Sequence, residues 1–97
     1  MNKNVTIVYE SVMAVVLDDF CVDRQVMLHS NDAECVQART VLYVALHERG
    51  LSDAEIAQCS GVHRESVNRT RNRFREVYAP WLVRVCLDKV RGIGRGA

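Results

Sequence analysis

Ninety-seven residues, 48% of them hydrophobic and 26% charged, are enough for one small domain with a single core, but not for a catalytic domain beside a binding domain. The formal net charge of +1 conceals an asymmetry: residues 1–60 hold four basic and nine acidic side chains, whereas residues 61–97 hold nine basic and three acidic. Phosphate binding needs a local positive field rather than a positive average, so a nucleic-acid face is expected in the second part and a solubility or partner surface in the first. No apolar run approaches the ~20 residues of a membrane helix. The most hydrophobic stretch, Val12 to Leu17, is short and followed by Asp18 and Asp19, so a signal peptide is not expected and a cytoplasmic protein is.

The first predicted element covers residues 4–20, where Val5, Val8, Val12, Val15 and Val16 approach a helical stripe. Cys21 to Ser30 reads as a connector in which Val26, Met27 and Leu28 form a short helical turn. A long helix follows, with Asn31 as its cap and Glu34 completing a capping box. Its apolar positions include Cys35, Ala38, Leu42, Ala45 and Leu46, and it is expected to run to Glu48 and stop at Gly50. Arg39 sits at the edge of that stripe and is the only basic residue between Arg24 and Arg49. Two readings of it stand side by side: an ion-paired or solvated helix arginine, or a contact to phosphate or the minor groove.

Residues 52–78 read as a helix-turn-helix. Ser52 and Glu55 have the spacing of a capping box, Ile56 and Ala57 turn inward, and Gly61 supplies the positive φ of a tight turn. Val62 would plug the corner. A second helix is then expected to reach Tyr78 before Pro80 stops it, with Val67, Phe74, Val77 and Tyr78 on its inner side and Thr70 alongside. At 100° per residue, Glu65, Asn68, Arg69, Asn72, Arg73 and Glu76 share the outer side. Five arginines in that one predicted helix favour a DNA face over a merely solvated αα-hairpin. Beyond Pro80, Trp81, Leu82, Val85, Cys86 and Val90 form a last amphipathic stripe, with Arg84, Asp88 and Arg91 outside. Residues 92–97, rich in glycine, are expected to be a flexible tail.

The four cysteines lie 14, 24 and 27 residues apart, without a Cys-x-x-Cys, so buried free thiols in a reducing cytosol are expected and no metal site is. His29, His47 and His63 have no carboxylate or nucleophile at a readable spacing; no catalytic residue, cofactor or small-molecule substrate is assigned.

In the order of its elements the chain resembles the C-terminal DNA-binding domain (domain IV) of the bacterial replication initiator DnaA, which has a Trp-repressor-like fold. The likeness covers about residues 5–78. It rests on the opening helix and the Leu28-His29-Ser30 connector, on Ala38-Arg39 in the long helix, on Leu51 to Ala57, and on Gly61 through Val67. Arg39, Gly61 and Val67 match that family residue for residue, and Ser66 substitutes closely for a threonine. The family's Arg-Asp-His-Thr-Thr-Val is here Val62-His63-Arg64-Glu65-Ser66-Val67, and no glycine stands in the phosphate-loop pattern of the initiator's ATPase. The resemblance implies an all-α domain of five to six helices that binds double-stranded DNA in replication or transcription control. It further implies that Arg39 reaches the minor groove and that the second motif helix enters the major groove.

From chemistry, Arg39, Arg64, Arg71, Arg73 and Arg75 are expected on phosphates, and Ser66, Asn68 and Arg69 at base edges. Glu65 is expected to pair with Arg69 one turn on. The alternative is an adaptor that keeps the helical scaffold without DNA binding and meets a protein partner, or a second copy, through the acidic first part or the Trp81 helix.

Overall fold

The computed structural model describes residues 3–93; of the glycine-rich tail, residues 94–97 lie outside the described residues. The described residues form six α-helices: α1 (Lys3–Phe20), α2 (Arg24–His29), α3 (Ala33–Glu48), α4 (Asp53–Ser60), α5 (Arg64–Arg73) and α6 (Trp81–Gly92). A 3₁₀ turn at Glu76–Tyr78 lies between α5 and α6, and no strand occurs among the described residues. The expected all-α class of five to six helices is the one observed.

The long helix α3 is the centre of the domain and packs against all five of the other α-helices. Its residues Val41 to Leu46 are buried without interruption, which is how a helix reads when it is covered on every side. α1 lies along it through Tyr9, Val12, Met13, Val16 and Phe20, all at most 5% exposed. Val12 and Val16 were expected in that stripe. Tyr9, Met13 and Phe20 were not, and they displace Val5, Val8 and Val15 to its margin.

Local rules govern several helix ends. Asp23 caps α2 by accepting from the amides of Gln25 and Val26, and Ser52 and Glu55 form the expected reciprocal capping box on α4. Gly61 ends α4 at φ 71°, the left-handed conformation that disfavours a Cβ. The box proposed for Asn31 and Glu34 does not form. Asp32 occupies the N-cap without a side-chain bond, and its own amide donates to Ser30 Oγ at 3.1 Å.

Two expectations about the later helices are corrected. α5 stops at Arg73 instead of reaching Tyr78, because Phe74 turns extended (ψ 132°) to pack on the core while Arg75 donates to the carbonyls of Asn72 and Phe74. The run Arg-Thr-Arg-Asn-Arg, with threonine and asparagine among weak helix formers, offers little resistance to that break. Val77 and Tyr78, expected inside, therefore lie in the connection and are largely exposed. In α6 the buried stripe is Val83, Cys86, Leu87 and Val90, a full i, i+3, i+4, i+7 set, and it turns Trp81 to the outside. Cys86 and Val90 were expected in it, whereas Leu82 and Val85 lie at its edges.

α6 returns across α1 and α3. Arg49 donates to the carbonyls of Val90 and Ile93 at its end, and Arg91 is held between Glu48 and Glu76. None of the four cysteines is in a disulfide, but only Cys35 and Cys86 are buried. Cys59 is half-buried and Cys21, at φ 53°, is exposed, contrary to the expectation that all would be inside.

A buried hydrogen bond of 2.7 Å between Tyr9 Oη and Ser60 Oγ ties α1 to the end of α4. Ser60→Ala would leave the phenol unpartnered in the core. It is expected to lower unfolding stability by about 1–3 kcal/mol, seen as a lower denaturant midpoint at an unchanged m-value.

Candidate nucleic-acid interface

α4 and α5 meet through Gly61, Val62 and His63. His63 is the N-cap of α5 but makes no side-chain bond to it, as expected of a histidine in place of a better capping residue. Val67 is fully buried, Val62 is half-buried against the core, and together they anchor α5 to the body of the domain. The opposite side of α5 is open: Arg64, Glu65, Asn68, Arg69, Asn72 and Arg73 are all exposed. All but Arg64 are residues that helical periodicity assigns to the outer face; Glu76, the last of that predicted set, instead belongs to the 3₁₀ turn and pairs with Arg91.

α5 stands as a ridge between two hollows. One lies against the start of α4, lined by Ser52, Asp53 and Ala54 and by the outward residues of α5. The other lies towards α2 and α3, where His29, Asn31, Arg39 and Tyr43 face Ser66, Arg69 and Thr70. Arg69 and Arg73 border both hollows and so mark the crest. A ten-residue helix is about 15 Å long, a length that a DNA major groove accommodates.

The arginines of this region divide by what they bond. Arg64, Arg69 and Arg73 have no hydrogen-bond or ion-pair partner among the described residues, and the only acid on their face is Glu65. The Glu65–Arg69 pair expected from spacing does not form among them, so the crest keeps its charge.

Arg71 is different. It points to α4 and makes a two-pronged contact with Asp53, Nε to Oδ1 at 2.6 Å and Nη2 to Oδ2 at 2.8 Å, with the two side chains 19% and 14% exposed. Asn68 Nδ2 donates to the same carboxylate at 3.0 Å, and Asn68 Oδ1 accepts from Asn72 Nδ2 at 3.0 Å. The Arg71 guanidinium, with the Asn68 amide assisting, holds the Asp53 carboxyl down to about 2 from an ordinary 3.8. Nothing in the local spacing singled out Asp53, whose partners lie 15 and 18 residues away.

Two further members of the predicted set are occupied by backbone. Arg75 lies past the end of α5 and bonds the last carbonyls there, as described. Arg39, half-buried, donates from Nη1 to Met27 O at 2.8 Å and Ser30 O at 2.6 Å, closing the C-terminal end of α2 while its side chain still lines the second hollow. The spacing of the sequence does not indicate these two backbone bonds. Arg39→Ala is expected to lower stability by about 2 kcal/mol, since hydrogen bonds from charged donors are the stronger ones. Hydrogen exchange at the amides of α2 should rise first. Ser66 is half-buried at the corner, beside Arg69 in the second hollow.

Comparison of the chain with protein-family models, with curated proteins and with solved structures finds no match, so the likeness to the DnaA DNA-binding domain stands on the residues quoted for it.

Proposed function

We propose that the chain binds double-stranded DNA as a stand-alone helix-turn-helix protein of the DnaA domain IV type, acting in replication or transcription control in the cytoplasm. The observation that carries this reading is the crest of α5: three unpartnered, exposed arginines on a projecting helix, in a protein whose overall charge is only +1. Its shape and charge suit a major groove. Arg64 and Arg73 would hold phosphates at the two ends of the helix, with the uncapped first amides of α5 adding a favourable dipole.

Arg69, between them, would reach a base edge, with Ser66 at the corner. Asn68, oriented by Asp53, and Asn72, which donates to Asn68, would present fixed donors and acceptors. Arg39, Arg71 and Arg75 support the interface from behind. The family's Arg-Asp-His being absent, a duplex other than the DnaA box is the expected target.

The test is fluorescence anisotropy of labelled duplexes over a series of salt concentrations. Counterion release predicts that log affinity falls linearly with log salt, with a slope near −0.9 per neutralised phosphate. An adaptor would show no such slope. That second reading has one observation in its favour, the large exposed side chains Val77, Tyr78 and Trp81.

A further inference from the structure

The hollow between α5 and the α2–α3 side of the domain differs in charge from the hollow beside α4. Arg39, Arg69 and Arg73 border its volume of about 410 Å³, and no Asp or Glu among the described residues does. The hollow beside α4 holds both Asp53 and Glu65. Tyr43, on the α3 wall, is 2% exposed, yet its Oη has no hydrogen-bond partner among the described residues. Asp19 Oδ2 is the only fully enclosed side-chain oxygen or nitrogen among them without a partner, so the phenol reaches solvent, on the side where Tyr43 lines the hollow. A nearly buried hydroxyl left unbonded costs free energy, which an accepting ligand recovers.

We infer that this hollow seats one phosphate group, with Arg39 and Tyr43 Oη donating to it from the α3 wall and Arg69 and Arg73 closing on it from α5. Arg39 is prepared for that role. Its Nη1 donates to Met27 O and Ser30 O, which fixes the guanidinium plane and occupies two carbonyls that would otherwise repel an anion. Its Nε and Nη2 bond nothing among the described residues, so the rest of the rigid fork that matches phosphate oxygens stays open.

Burial pushes the Tyr43 phenol up to about 12, with Arg39 opposing, so the hydroxyl keeps its proton at neutral pH and can donate. On the opposite wall Ser66 and Thr70 add hydroxyls beside the two α5 arginines. Donors facing each other across a gap suit a tetrahedral anion, whose oxygens point to both walls. A flat carboxylate presents both oxygens to one.

Two sources carry such a group, a DNA strand beside α5 and free phosphate, and Tyr43→Phe separates them. On a strand it would be the phosphate assigned above to Arg73. The variant loses an oxygen that bonds nothing within the chain, so its denaturant midpoint should be at least native. One arm titrates inorganic phosphate at constant ionic strength, following the Nε–H resonance of Arg39; the other measures labelled duplex by anisotropy. At least one of these affinities should fall about tenfold in the variant, the usual contribution of a hydrogen bond to a charged group. A loss for duplex assigns the seat to a strand phosphate, and a loss for inorganic phosphate alone assigns it to a free one. Tyr78→Phe, the same change on an exposed tyrosine outside the hollow, should alter neither.

A Tyr43→Phe protein with native affinity for both probes overturns the inference. So does an Arg39 resonance that phosphate leaves unmoved in a protein whose duplex affinity the substitution does not change. The duplex arm rests on the reading of α5 as a DNA-binding helix and the phosphate arm does not. A flat salt series would sink that reading and leave the seat to be decided by inorganic phosphate.

Discussion

Replacing Arg64 and Arg73 together by alanine is expected to weaken duplex binding about sixtyfold at about 0.1 M monovalent salt, if each neutralises one phosphate, because each lost contact forfeits ~0.9 decade of counterion release relative to 1 M. The same substitution should make the log–log salt slope less negative by ~1.8. Neither arginine bonds anything else among the described residues, so folding stability should move by no more than about 0.5 kcal/mol, as at other free surface positions.

Arg84→Ala, on exposed α6 and away from both hollows beside α5, supplies the control and should leave affinity and slope nearly unchanged. If the double variant kept its affinity, the crest of α5 would not be the binding surface. Arg69→Ala alone separates two roles. A changed preference at one base pair assigns it to a base edge, whereas a uniform loss over all duplexes assigns it to phosphate.

The parts of this interface visible in the sequence are those set within one or two helical turns. Ser52 and Glu55 cap α4 by a rule that spans three residues, Gly61 ends it by its own φ, and the outer face of α5 follows from its period. What the sequence hid depends on partners far along the chain. α5 ends early because Phe74 finds a place on the core, and α6 is rotated because Val83 and Leu87 pack on α1 and α3 more fully than Trp81 and Leu82 could. Arginines were the least readable residues. Arg64, Arg69 and Arg73 bond nothing among the described residues, Arg71 is bound to a carboxylate, and Arg39, Arg49 and Arg75 close helix ends, yet all seven look alike in sequence. Counting positive charge therefore finds the basic ridge but does not separate the arginines that bond within the chain from those that do not.

Asp53→Ala is expected to lower stability by about 2 kcal/mol at neutral pH, and to loosen the readout on α5 as well. The carboxyl is held at about 2 in the folded chain against an ordinary 3.8, chiefly by the Arg71 guanidinium. At about 1.36 kcal/mol per pH unit, that difference corresponds to the loss given. Because the folded value is the lower one, the contribution is complete above about pH 4 and disappears as pH falls from about 4 towards about 2. Urea unfolding should show this loss between pH 4 and 2 in the native chain. In Asp53→Asn, which keeps the shape without the charge, the same window should lack that component.

At neutral pH the alanine variant also frees Asn68 and, through it, Asn72, since both are oriented by the one carboxylate. Duplex selection with Asp53→Ala should then yield a broader set of sequences, while the salt slope, set by Arg64 and Arg73, stays near its native value. An Asp53→Ala protein with native sequence preference would mean that Asp53 only fastens α4 to α5. One with a collapsed salt slope would mean that the crest itself depends on this clamp to project from the domain.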